Sequence, residues 1–174
     1  MELVIRHRQL SRVRYAFGIR MTKHKLKFEA ELFRGALEDY FVSHPKVNFG
    51  TNWMATTQRK FPADHCKATS FAFGSYLINK HGIKQKELYY VWGTRIGETH
   101  GWLRYRNFFV DLTGDQFSDQ NRATIVVEKN RSSWHKSFLN QKEFAFELAE
   151  DSPIRSLAEK ISLKISNRLT IHPS

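Results

Sequence analysis

Cysteine is nearly absent from this chain: Cys66 is the one cysteine among 174 residues. A single cysteine cannot close an intramolecular disulfide, and it cannot build a thiolate metal cage. Long apolar runs are missing too. No stretch approaches the roughly 18–20 consecutive apolar residues that span a bilayer. Met1 to Leu10 shows neither the apolar core nor the small-residue cleavage site of a secretory signal, so the expected location is cytoplasmic. Export by a signal-independent route would leave no trace in these residues. No internal repeat and no low-complexity tract is visible. Acidic side chains are scarce as well, with 17 Asp and Glu against 28 Lys and Arg, a formal net charge of +11.

What is present is enough for one packed core. Hydrophobic residues make up 41% and aromatics 14%, which excludes the low-hydrophobicity composition of disordered chains. The length fits a single domain spanning residues 1–174. The positive charge is concentrated at the start. Between Met1 and Lys27 lie Arg6, Arg8, Arg12, Arg14, Arg20, Lys23, Lys25 and Lys27 against Glu2, so 8 − 1 gives +7. A basic segment over residues 1–26 attracts anionic partners, whether nucleic acid, an acidic protein surface or anionic lipid. Tyr15 and Phe17 lie among these charges, yet no RNA-binding strand signature or zinc finger accompanies them. A solvated basic face explains the same residues.

Periodicity orders the elements. Phe28, Leu32, Phe33, Leu37, Tyr40 and Phe41 recur at three- and four-residue steps, predicting a helix over about 27–43 that His44-Pro45 ends. A long loop follows over residues 45–63. A second helix is expected from about His65 to Lys80, with Asp64 as its N-cap and Gly82 closing it. Strand-like runs then cover Glu87–Thr94, Thr99–Tyr105, Phe108–Leu112 and Thr124–Glu128. After Asp151-Ser152-Pro153, the residues Ile154, Leu157, Ile161, Ile165 and Leu169 form the stripe of a C-terminal amphipathic helix over 153–169. Helices, a cluster of strands and a closing helix make an α+β domain with a mostly antiparallel sheet.

Against that frame the position of Cys66 carries chemistry. A lone cysteine is more often a small buried side chain than a nucleophile. This one opens a predicted helix, where unpaired backbone N–H groups favour the thiolate and can face the oxyanion formed when sulfur attacks a carbonyl. A nucleophilic thiol also needs an imidazole held by a third group. A hairpin turning at Arg106-Asn107 would set Tyr105 opposite Phe108, Trp102 opposite Asp111 and His100 opposite Thr113. His100 and Asp111 then share a face as diagonal neighbours, roughly 7–8 Å apart along the backbone and within side-chain reach. Gly101, Leu103, Tyr105, Val110 and Leu112 fall on the other, core-directed face, while Trp102 and Phe109 shield the polar pair. An odd loop length would reverse Asp111. The alternatives are local: His65 points away from its neighbour Cys66, Asp115 reads as a turn residue, and His24, His44, His81, His135 and His172 show no shared spacing for a metal. Surface roles are their default, and neither metal nor cofactor is expected.

Three segments in this order resemble a known superfamily. His65-Cys66 and the following helix to Gly82-Ile83 resemble the cysteine helix of transglutaminase-like and papain-like enzymes. Thr99-His100-Gly-Trp102 resembles their His-x-Trp strand, and Phe109-Val110-Asp111-Leu112-Thr113 their Asp-x-Thr strand. The resemblance covers about residues 61–117 and is nearest to small bacterial members whose roles are poorly defined. It implies a nucleophile helix packed on an antiparallel sheet, flanked by N- and C-terminal helices, with Cys66, His100 and Asp111 as catalytic residues. Gln58, Gln116 and Trp102 are then candidates for oxyanion donation or support, although no glutamine stands at the usual papain spacing. The implied activity is thiol-dependent amide chemistry on a protein or peptide, with an acidic partner suited to the basic segment: hydrolysis, deamidation or acyl transfer, in one version as a bacterial effector. The competing expectation is an inactive relative whose basic segment binds nucleic acid or an acidic protein.

Overall fold

The computed structural model describes residues 20–44, 61–117, 124–147 and 153–171, with side chains of the last helix described through residue 167. Most of the basic segment, the 45–60 stretch with Gln58, and the Asp151-Ser152 cap lie outside the described residues. Among the described residues, the architecture is four helices and one five-stranded antiparallel sheet. The helices are α1 (Lys23–Ser43), α2 (Cys66–His81), the short α3 (Ser133–Ser137) and α4 (Pro153–Ile171). The strands are β1 (Leu88–Arg95), β2 (Glu98–Tyr105), β3 (Phe108–Asp111), β4 (Val126–Glu128) and β5 (Leu139–Ala145). They lie side by side in the order β4-β3-β2-β1-β5. No helix is long and apolar enough to cross a membrane among the described residues.

The α2 helix is the central element. Ala68 through Leu77 are buried without a break, because α4 and the sheet cover it on different sides. Phe71 meets Tyr90 of β1 with ring centres 5.1 Å apart. Gly74 faces the Phe146 ring so closely that a Cβ there would collide with it. Gly82 ends the helix at φ 63°, its N–H returned to the Ile78 carbonyl, the left-handed closure that glycine adopts without a side-chain clash. On α1 the buried stripe is Leu26, Ala30, Phe33 and Leu37. Phe28, expected within it, is 44% exposed and lies under Lys25 instead. Ile154, Leu157, Ile161 and Ile165 of α4 are buried as their spacing predicts.

A polar cluster locks α1 to α2. Glu29 is buried and receives Lys25 at 2.8 Å, Lys80 at 3.0 Å and His81 at 3.3 Å, with the Tyr76 hydroxyl donating to it as well. Burial alone would raise its pKa, but hydrogen bonds from His81, Lys25, Tyr76 and Lys80 hold the carboxyl well below the usual range.

Two elements depart from the sequence expectation. Asp64 is not the N-cap of α2: its φ of 62° is left-handed, and the N-cap is His65, whose side chain makes no cap hydrogen bond. The strand β5 pairs antiparallel with the outer side of β1. Its residues are mostly exposed, so it lacks the alternation that marks a half-buried strand.

Candidate active site

The β2–β3 hairpin turns through Arg106 and Asn107, with Tyr105 opposite Phe108 and Leu103 opposite Val110. Arg106 takes φ 52° and is held by its ion pair to Glu87 and by a backbone bond to the Glu87 carbonyl at 2.9 Å. The two-residue loop keeps the parity that places His100 and Asp111 together. Leu103, Tyr105, Val110 and Leu112 enter the main core. Trp102 joins Val91, Trp134 and Phe138 in a smaller cluster with Phe109 and Phe117 packed against it.

That smaller cluster encloses His100, which is completely buried. The ring centres of Phe117, Trp134, Trp102 and Phe138 lie 5.1, 5.2, 5.5 and 5.5 Å from the imidazole. Gly93, the cross-strand partner of His100, has no room for a side chain: a Cβ would stand 2.9 Å from that of Phe138.

Within this box, His100 Nε2 lies 2.8 Å from Asp111 Oδ2. The same oxygen is 3.0 Å from Nε2 of His135 on α3. The other oxygen, Oδ1, accepts from the Thr113 backbone N–H at 2.9 Å and the Thr113 hydroxyl at 3.4 Å. Gly114 leaves space beside Oδ2, where a Cβ would come within 3.0 Å. Asp111 is thus buried with both oxygens occupied. Burial would raise its pKa, but the charge and hydrogen bond of His100, followed by those of His135, hold it far below the usual carboxylate range.

The second nitrogen of His100, Nδ1, faces Gln116 Nε2 at 3.0 Å. The Gln116 Oε1 accepts from the Asp64 backbone N–H at 3.1 Å. An amide N–H can only donate, so the Gln116 amino group points at Nδ1 and finds a lone pair there. The Nε2 proton then goes to Asp111. Cys66, the first residue of α2, is partly exposed and stands near the same imidazole, close enough to influence its titration. Burial opposes a charged ring, yet the Asp111 charge and hydrogen bond, with a smaller contribution from Cys66, raise the His100 pKa to about 9. The Gln116 contact favours the neutral ring and so opposes that rise; the buried carboxylate is the stronger influence.

The remaining predicted residues divide clearly. Trp102 is fully buried, ring to ring with His100 and His135, and walls the imidazole. Asp115 is engaged elsewhere, bidentate with Arg34 of α1 at 2.9 and 3.1 Å. Arg34 also donates to the Leu112 carbonyl, which pins residues 112–116 under α1. His65 Nδ1 is 2.6 Å from the Ala63 carbonyl, its ring edge-on to Phe41 and Phe61, and burial lowers its pKa. Tyr90 shares a cleft with Cys66; burial and the Cys66 charge push its phenol up, which keeps it a donor.

His135 corrects the expectation of a surface histidine, being 1% exposed. Its sequence neighbours announce a capped turn, since Ser132 accepts from the His135 N–H at 3.2 Å. Nothing in them shows that this turn lands on Asp111. With His100 and Asp111 it also forms a cluster of three buried donors lying within 4.8 Å of one another.

No family model matches the chain, and no curated protein or solved structure matches it.

Proposed function

We propose that this chain is a thiol enzyme of the transglutaminase-like and papain-like kind, acting on an amide of a protein or peptide. One observation carries the reading: a cysteine at the start of a buried helix stands near an imidazole whose Nε2 lies 2.8 Å from a fully buried, fully occupied carboxylate. That is the nucleophile, base and orienter arrangement of covalent acyl chemistry. In the first half-reaction His100, charged at neutral pH, holds the proton, and the Cys66 thiolate beside it forms the Sγ–C bond at the amide carbonyl. The oxyanion is flanked by the first-turn amides of α2 and the Tyr90 hydroxyl. Collapse breaks the C–N bond, and the amine leaves with the proton from His100. A thioester remains on Cys66. Water or another amine, deprotonated by His100, then attacks the thioester and releases the sulfur. The aromatic box around His100 keeps water from competing for its hydrogen bonds. While His100 is charged, Nδ1 is no acceptor for Gln116, whose amide is then available to substrate.

The test is mass spectrometry of a cell lysate incubated with wild type or with Cys66→Ala. Deamidated, cleaved or crosslinked peptides that require Cys66 support thiol amide chemistry, and identical peptide sets contradict it.

A second reading rests on the three-donor cluster. Two histidines and one carboxylate match the ligand number of many catalytic metal sites. It is disfavoured by the contacts themselves, since both Nε2 atoms stand at hydrogen-bond distance from one oxygen. Elemental analysis of purified protein decides: stoichiometric zinc or iron that disappears in His135→Ala supports a metal centre.

A further inference from the structure

Resting on the thiol reading above, we propose that the cleft beside Cys66 selects an acyl donor whose acyl half carries a carboxylate beyond a flat apolar segment. The cleft measures about 400 Å³, and its lining includes Cys66, Lys67, Tyr90, Trp92, Lys142 and Phe144. Strand register explains the grouping. Tyr90 pairs with Phe144 and Trp92 with Lys142 across β1 and β5, and residues two apart on a strand share a face. Tyr90 and Phe144 approach to 6.5 Å between ring centres. Three aromatic side chains therefore form one wall, on which a planar group can stack.

The direction of the substrate follows from the chemistry. The leaving amine must take its proton from His100, so it lies on the imidazole side of Cys66. The carbonyl's other substituent, the acyl half, falls on the side that His100 does not line, which is this cleft. Among the described residues, its charged side chains are the cationic Lys67 and Lys142, with no acidic side chain in the lining. The nearest carboxylate in sequence, Glu143, belongs to the opposite strand face and is held by Arg104 at 2.6 Å and Arg131 at 3.7 Å. An anion at the end of the acyl group thus meets the positive charge of Lys142.

Alkylation of Cys66 by iodoacetamide, with amides added as protectants, tests this. The probes are 4-carboxybenzamide and neutral benzamide. A lysine ammonium within a few ångströms at a partly exposed site predicts that the carboxylate form protects at about tenfold lower concentration. Lys142→Gln reduces that advantage to roughly twofold, whereas Lys160→Gln, an exposed change on α4, leaves it intact and so removes the overall +11 field as the cause. Trp92→Ala weakens protection by both amides. Equal protection by the two amides, or an advantage insensitive to Lys142, overturns the selectivity. The two levels separate cleanly. Fast, His100-dependent alkylation without carboxylate preference sinks the selectivity alone; slow alkylation indifferent to His100→Ala sinks the thiol reading and, with it, the assignment of this cleft.

Discussion

Replacing Asp111 with asparagine exposes how much the buried carboxylate contributes. The native side chain accepts from His100, His135, the Thr113 N–H and the Thr113 hydroxyl. An amide offers one oxygen, and its amino group must then face either two imidazole N–H groups or the Thr113 N–H. A buried donor left facing a donor costs about 1–3 kcal/mol. The lost charge adds to this. His100 is raised from its ordinary 6.5 to about 9, and such a shift corresponds to roughly 3 kcal/mol. Because the folded value is raised, that contribution is complete below about pH 6.5 and is lost as pH climbs through about 9. Asp111 has the opposite sign: its folded value is depressed, so its contribution exists above about pH 4 and vanishes in acid. Asp111→Asn should therefore be less stable than wild type by about 4–6 kcal/mol near pH 6, with the gap narrowing towards pH 10. Urea unfolding of both proteins across that range measures it. A gap that does not vary with pH, or an asparagine variant as stable as wild type, refutes the electrostatic reasoning.

Other perturbations follow from the same contacts. His135→Phe keeps the ring packing against Trp102 and Trp134 but removes one donor to Asp111, so a loss of about 1–3 kcal/mol in urea unfolding is expected, with slower Cys66 alkylation. Gln116→Glu supplies an acceptor both to the Asp64 N–H and to a protonated His100 Nδ1; the pH at which the imidazole titrates, followed by NMR, should rise, and an unchanged value contradicts the proposed contact. Glu29→Gln should cost about 2–3 kcal/mol. Because Glu29 is depressed, its contribution is lost as pH falls below about 4, so the variant's unfolding midpoint should depend less on acid than that of wild type.

The parts of the site that lie within single elements or across a tight turn were readable in advance. Hairpin parity brings His100 and Asp111 together because two loop residues allow one register, and the apolar spacing of α4 and the Gly82 closure are local signals. The rest depends on chain returning from far away. His135 reaches Asp111 across 24 positions on a five-residue helix too short for periodicity. Arg34 reaches Asp115 across 81, and no pattern in either segment names its partner. The edge strand β5 is polar on most positions, so hydrophobic alternation cannot reveal it. Asp64 has the composition of a helix cap, but its left-handed backbone removes it from that role, and composition alone cannot show a dihedral.

The most direct test is the rate of Cys66 alkylation as a function of pH, in wild type and in His100→Ala. A thiol activated by its imidazole reacts faster than free cysteine at neutral pH and slows by about tenfold or more when the imidazole is removed. Rates that are slow and equal in the two proteins contradict an activated thiol.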